Sequence, residues 1–261
     1  IVDDIIHDMN VYFPSVNTDE VLLGVAAELR KAPPAKAKPP RYRRSGKLPG
    51  WGTVYEICTE EHSSMSRVAR EYKDVDVVTI TSDMDWADRN TVNQVIDAIK
   101  HSPGASVHGS LPCTVWCLRQ YQNLSMLGDD FAAKLKAGRA VSRRMLLHFI
   151  EAAEVALSLG GHVSFEWPKN STGWLIPELI SFISRHGLLE AIVDGCACGV
   201  KNANGEPVLK QWRFITSSPE LASELDAIRC RCDPEIGHGQ IQGGHDTKKT
   251  AYYPFPLCRT Y

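Results

Sequence analysis

Short apolar runs alternate with amphipathic segments between about residues 52 and 218 of this chain. Six of the runs are predicted to be buried β-strands, because they are rich in β-branched and aromatic residues and are bounded by turn residues. They span residues 53–58, 75–81, 105–112, 163–165, 189–193 and 212–216. Strands that alternate with helices are typical of an α/β fold with a mostly parallel sheet.

Apolar residues at spacings of three and four predict helices between these strands. The helices span residues 63–72, 91–99, 129–159 (one long helix or two) and 177–186. The turn at 201–205, Lys-Asn-Ala-Asn-Gly, joins the last two strands and indicates that they are antiparallel. We therefore predict a doubly wound, Rossmann-like sheet that is mostly parallel and has an antiparallel finish.

The regions outside this alternation have a different composition. Residues 1–31 are predicted to be partly helical, and residues 32–50 contain five prolines and read as a basic linker. Residues 51–218 form the predicted catalytic domain. Residues 219–261 are predicted to be an irregular tail that contains cysteines and histidines.

Composition excludes a disordered chain and a membrane-spanning one. The 261 residues are 43 % hydrophobic, and no apolar run approaches the ~18 residues that a membrane-spanning helix needs. The net charge is −2, but eight Lys or Arg and no acid fall between Arg30 and Tyr55. This basic cluster is either a solvated linker or an arm that binds nucleic-acid phosphates.

The first residue and the cysteines bear on where the chain comes from. The chain begins with Ile1, so we expect a trimmed chain, a processed product or a piece of a longer polyprotein. It has eight cysteines but is not a short secreted scaffold. We therefore expect reduced thiols and a nuclear or cytoplasmic, and thus intracellular, protein.

Two residues that can do chemistry end two of the predicted strands. Cys113 follows the run 105–112 and Glu166 follows the run 163–165. In an open α/β sheet the carboxyl ends of the strands meet at the ligand crevice. We therefore expect Cys113 and Glu166 to face one substrate, the thiol as nucleophile and the carboxyl as proton source.

Four blocks of sequence resemble the cytosine-C5 methyltransferases, which use S-adenosylmethionine. In chain order the blocks are 54–58 with 63–70, 109–113, 143–150 with 165–168, and 211–216. They are similar to the first cofactor strand of that family, its Pro-Cys nucleophile, its helix and Glu-Asn-Val strand end, and its Gln-x-Arg-x-Arg strand. The chain also resembles methyltransferase-like segments of retrotransposon polyproteins.

The resemblance implies a reaction and a role for three residues. Cys113 would attack C6 of cytosine, Glu166 would protonate or hydrogen-bond N3, and Arg213 would hold the base or its carbonyl oxygen. The methyl group would then pass to C5 in nucleic acid, with DNA preferred over RNA as the partner and no membrane involved. Only 43 residues follow residue 218 in this sequence, so we expect sequence selectivity to be low or supplied elsewhere.

The resemblance also implies S-adenosylmethionine as cofactor, across the ends of the first strands. Residues of the first strand end would line its methionine part, and residues after the second strand would reach its ribose and adenine. The expected cofactor-binding residues are Glu56, Ile57, Cys58, Thr59, Ser82, Asp83, Asp85 and Pro112. The loop 57–62 contains no glycine, whereas the family loop has several.

Two other functions are compatible with the sequence. The first is a nucleic-acid-binding module of a mobile element that has lost turnover. The second is a different cysteine-dependent enzyme, such as a thiol hydrolase, which would need a histidine base near Cys113. His108 and His162 are the candidates for that base.

The tail carries residue types that zinc prefers. Four of the five residues Cys230, Cys232, His238, His245 and Cys258 would complete a tetrahedral site. The alternative is a set of unligated thiols and surface histidines. The pair Cys196 and Cys198 is predicted to belong to a loop near the sheet instead.

Overall fold

The computed structural model describes residues 49–235, 237–241 and 250–261. The predicted N-terminal helix, nearly all of the basic linker and His245 lie outside the described residues. None of the helices described is both long enough and apolar enough to cross a bilayer.

One six-stranded sheet forms the centre of the described structure, in the order β2-β1-β3-β4-β6-β5. The strands are β1 Thr53–Thr59, β2 Asp76–Thr81, β3 Ser106–Gly109, β4 Val163–Pro168, β5 Leu189–Asp194 and β6 Gln211–Thr216. Strands β1 to β4 pair in parallel, and β6 runs antiparallel between β4 and β5. The α/β class, the six strands and the antiparallel finish are therefore confirmed.

Helices connect the strands at the predicted places. They are α1 Ser64–Ala69, α2 Arg89–Lys100, α3 Arg119–Ser158, α4 Pro177–His186, α5 Pro219–Asp226 and α6 Phe255–Cys258. Helix α4 has the predicted bounds, with Pro177 in its first turn and Gly187 in the left-handed region after its end. Helix α3 begins earlier than predicted and is interrupted at Gly128, whose φ is 69°.

The tail after residue 218 is more regular than its polar sequence indicates, so the prediction of an irregular tail is wrong for part of it. Ser218 caps α5 by accepting a hydrogen bond from the Leu221 amide at 3.1 Å. Helix α6 follows near the end of the chain. Its Leu257 is fully buried, so the tail packs against the sheet.

Hydrophobic side chains cover both faces of the sheet. One face packs against α2, α3 and α4 around residues such as Ile57 and Phe165. The other packs against α1, α5 and α6 around Phe214, and Tyr253 of the tail belongs to this second core. Because β4 and β6 are buried on both faces, their polar residues are enclosed rather than solvated.

Candidate active site

The carboxyl edge of the parallel strands brings Cys113 and Glu166 together, as the sequence predicts. The segment after β3 carries Cys113 into a short turn, Thr114–Trp116, where the thiol is partly buried. Glu166 lies in β4, the neighbouring strand, and is 5 % exposed. The charge of Glu166 raises the pKa of Cys113.

The Glu166 carboxyl is held by two hydroxyl groups. Its Oε2 accepts a hydrogen bond from the Tyr253 hydroxyl at 2.7 Å and from Ser110 Oγ at 3.2 Å. Burial raises the pKa of Glu166 to about 7, and these hydrogen bonds oppose the rise. A carboxyl with this pKa is partly protonated at neutral pH and can therefore serve as a proton donor.

The Cys113 thiol lies in an environment that disfavours its ionised form. Burial is the main cause, and the Glu166 carboxylate adds to it, so that the pKa of Cys113 is raised to about 11. The charge of Lys210 acts in the opposite direction. The thiol is therefore protonated at neutral pH and needs activation before it can act as a nucleophile.

Lys210 is a residue of the site that the sequence did not reveal. It directly precedes β6, whose antiparallel course begins at the carboxyl edge of β4. Its Nζ donates a hydrogen bond to the Thr250 carbonyl and lies 5.3 Å from the Trp212 ring centroid. Burial lowers the pKa of Lys210, whereas the charges of Glu166 and Cys113 raise it.

Arg213 is not brought to this group. In the β4–β6 register Glu166 pairs with Phe214, whereas Arg213 pairs with Trp167. Alternate strand residues point to opposite faces, so Arg213 points away from Glu166. Its Nε lies 3.2 Å from an oxygen of Glu190.

Neither histidine proposed as a base for a hydrolase is placed beside Cys113. His108 is fully buried, and its ring nitrogens lie 2.8 Å from Ser164 Oγ and 3.3 Å from the Tyr253 hydroxyl. Burial lowers the pKa of His108 to about 3. His162 precedes β4 and therefore lies at the opposite end of that strand from Glu166.

The predicted cofactor residues of the first strand differ in burial and in backbone conformation. Ile57 is fully buried. The carboxylate of Glu56 is also buried and accepts a hydrogen bond from the Ser63 hydroxyl. Burial raises the pKa of Glu56. Cys58 has a φ of 62°, in the left-handed region that favours glycine. The pairing of β1 with β2 shifts register at this point, between Ile57 and Thr59.

The remaining cofactor residues lie on the surface around the same edge. Ser82, Asp83 and Asp85 follow β2 and are exposed, and Pro112 is exposed next to Cys113. The cofactor residues after β2 are thus accessible, whereas two of those in β1 have buried side chains.

The structure assembles a metal-binding group that differs from the predicted one. Ligand atoms of Cys196, Cys230, Cys232 and His238 all lie within 4.8 Å of one another and could hold a metal ion. Cys258 is instead buried in the second core, where burial raises its pKa to about 12. The prediction thus omitted Cys196 and included Cys258 wrongly, whereas His245 lies outside the described residues.

Comparisons with known proteins found no match. No family model, curated protein or solved structure matches this chain.

The charges around Cys113 make its reactivity testable. We expect Glu166→Gln to speed alkylation of Cys113 by iodoacetamide at neutral pH and Lys210→Met to slow it, because the first change removes a negative charge and the second a positive one. Each unit of pKa changes the thiolate fraction by about tenfold. Peptide mass spectrometry measures the rate, with exposed Lys201→Met as the matched control. Equal rates in all variants would contradict the arrangement.

Proposed function

We propose that this protein is an S-adenosylmethionine-dependent methyltransferase of the cytosine-C5 type that acts on nucleic acid, with DNA as the preferred substrate. The observation that supports the proposal most directly is the placement of Cys113 and Glu166. Glu166 lies in β4, and Cys113 lies in the turn that follows the neighbouring parallel strand β3, towards the same edge of the sheet. The four sequence blocks that resemble the cytosine-C5 methyltransferases are the reason for assigning this pair to methyl transfer.

Cytosine C5 needs activation before it can accept a methyl group. In the proposed reaction the Cys113 thiolate bonds to C6, and Glu166 gives a proton to N3, so that C5 becomes enamine-like. C5 then takes the methyl group. Loss of the C5 proton to a base breaks the S–C6 bond and restores the thiolate, while N3 returns its proton to Glu166. A carboxyl with a pKa of about 7 suits the proton transfer to N3.

Lys210 takes the electrostatic role that the resemblance gives to Arg213. Its charge lowers the pKa of both Cys113 and Glu166. It would therefore favour the thiolate and stabilise negative charge on the base oxygen during attack. Arg213, on the opposite face with Glu190, would support the strand instead.

The residues present fit S-adenosylmethionine on the ribose and adenine side. Asp83 and Asp85 offer exposed carboxylates after β2, where hydroxyl and amino groups would be bound. The methionine side has no glycine, but Cys58 adopts the backbone conformation that a glycine there would take. When bound, the cofactor supplies an electrophilic methyl group on a sulfonium.

The substrate base has to leave its helix to reach a site of this kind, at a cost of a few kcal/mol. The basic cluster near the N-terminus is suited to hold the phosphate backbone meanwhile. All eight basic residues of that cluster lie outside the described residues, and this contact is proposed from the sequence.

Incubation of DNA and of RNA with the full chain and isotopically labelled S-adenosylmethionine tests the proposal. We expect labelled 5-methylcytosine in digested DNA, more of it than in RNA, and none with Cys113→Ala. Nucleoside mass spectrometry identifies the product, and Cys117→Ala is the matched control, since this partly buried thiol lies in the same segment. Label on an exocyclic amino group would contradict the C5 mechanism.

Two observations favour a nucleic-acid-binding module without turnover as the second candidate. The Tyr253 hydroxyl already engages Glu166, and the high pKa of Cys113 disfavours the thiolate. This candidate predicts DNA binding with no labelled nucleoside and no heat on titration of S-adenosylmethionine into the protein. The same incubation therefore separates the two functions.

A further inference from the structure

Four potential metal ligands converge at the end of β5, from two parts of the chain. Cys196 lies in the turn Gly195–Cys198, directly after that strand. Cys230, Cys232 and His238 come from the segment that follows α5. Their ligand atoms are mutually within 4.8 Å, and Cys230 Sγ lies 3.3 Å from His238 Nε2.

These distances match one tetrahedral ion. A zinc ion binds sulfur at about 2.3 Å and imidazole nitrogen at about 2.0–2.1 Å, which places ligand atoms about 3.4–3.8 Å apart. Small side-chain movements would bring four atoms within 4.8 Å into that arrangement. Three cysteines and one histidine are a ligand set of structural zinc sites, which leave no open coordination position.

The surrounding hydrogen bonds hold the two halves of the cluster in place without a metal. Buried Asp194 accepts hydrogen bonds from the Cys230 amide at 2.8 Å and from Gln211 Nε2 at 2.7 Å. The Gly195 amide donates to the Lys210 carbonyl at 2.7 Å. The ligands are thus positioned by the carboxyl edge of the sheet, beside the lysine that faces Cys113.

Besides the bond to Asp194, the segment that carries three of the ligands is held by single hydrogen bonds such as the one from the Gly239 amide to the Pro207 carbonyl at 2.8 Å. Between α5 and residue 241 the described residues form neither helix nor strand, and Ile228 and Ile241 are only partly buried. A metal ion would crosslink this segment to the turn after β5. Structural zinc stabilises small irregular regions in this way.

We propose that Cys196, Cys230, Cys232 and His238 bind one structural zinc ion, which fastens the C-terminal segment to the carboxyl edge of the sheet. The proposal goes beyond the methyltransferase function and does not depend on it, since it concerns metal content and not turnover. Loss of zinc would free the segment after α5 from the turn after β5.

Metal analysis of the full chain, purified under reducing conditions, tests the site. We expect one zinc ion per chain in the wild-type protein by inductively coupled plasma mass spectrometry. In Cys196→Ser and His238→Ala we expect zinc affinity at least about tenfold lower in competition with a chromogenic chelator. Cys198→Ala is the matched control, because Cys198 shares the turn but is buried in the second core, and it should keep the zinc.

Cobalt substitution keeps the test independent of how well the variants fold. Refolding the wild-type chain with Co²⁺ should give the sulfur-to-cobalt charge-transfer band and the strong visible bands of a tetrahedral thiolate site. Wild-type protein that binds neither zinc nor cobalt would overturn the proposal. Iron in place of zinc would overturn the identity of the metal, and loss of zinc in His245→Ala but not in Cys196→Ser would overturn the ligand set.

Discussion

DNA that carries 5-fluorocytosine should become covalently attached to Cys113 when S-adenosylmethionine is present. The proposed reaction forms the S–C6 bond first and breaks it only when the C5 substituent leaves without its bonding electrons. Hydrogen can leave as a proton, but fluorine cannot leave as a cation. The methylated adduct is therefore trapped, and we expect a complex that survives denaturation.

Denaturing electrophoresis detects this complex, and peptide mass spectrometry locates the attached nucleotide. Cys113→Ser should abolish the adduct, whereas Cys117→Ser should retain it, because Cys117 is not the thiol facing Glu166. Glu166→Gln should slow its formation, since N3 would lose its proton donor. Production of 5-methylcytosine by a wild-type protein that is never trapped would exclude the covalent mechanism.

Much of the fold is visible in the sequence because the strands are short and bounded by turn residues. Strand β4 is a clear case: Gly160 and Gly161 precede the apolar run, and Glu166 follows it. From such ends alone, the rule that parallel strands share a carboxyl edge brings Cys113 and Glu166 together. The two helices of the tail were harder to predict, because the apolar face of α5 is small and α6 has only four residues.

The cation of the site could not be chosen from the sequence. Strand β6 is buried on both faces. The alternation of polar and apolar residues therefore does not show which side chains of β6 lie on the same face of the sheet as Glu166. The register between β4 and β6 decides the choice. Phe214 lies opposite Glu166 and shares its face with Trp212 and Lys210, whereas Arg213 lies on the other face. A shift of one residue would have reversed the assignment.

Contacts between residues far apart in the sequence could not be predicted either. Tyr253 meets Glu166 across 87 residues, and no local pattern marks it as a partner. Cys196 is also distant in sequence from the tail cysteines. The turn after β5 lies beside residue 230 through contacts such as those of Asp194, which accepts from the Cys230 amide and donates to the Ile228 carbonyl. The tail sequence showed metal-binding residue types but not which of them converge.

Glu166→Gln should stabilise the folded protein increasingly as the pH rises from about 4.5 to about 7. The pKa of Glu166 is raised from its ordinary value of 4.5 to about 7 in the folded chain, mainly by burial. Below this range the side chain is protonated in both states. Within it the unfolded chain ionises first, so the folded state loses stability, by about 3 kcal/mol once both states are ionised.

Glutamine carries no titratable group, so this loss should be absent from the variant. Urea unfolding at several pH values should show the difference in unfolding free energy between variant and wild type growing by about 3 kcal/mol between about pH 4.5 and 8. Glu151→Gln is the control of opposite sign, because Arg89 lowers the pKa of this exposed carboxyl. Its removal should cost a little stability above the pKa of Glu151 and none below.

The result bears directly on the chemistry proposed for the site. A pH-independent difference between Glu166→Gln and the wild type would mean that Glu166 titrates near its ordinary value. Glu166 would then be almost fully ionised at neutral pH and unable to protonate a pyrimidine nitrogen. A difference that grows towards pH 7 would instead show that burial beside Tyr253 keeps a proton on the carboxyl at the pH where the reaction has to run.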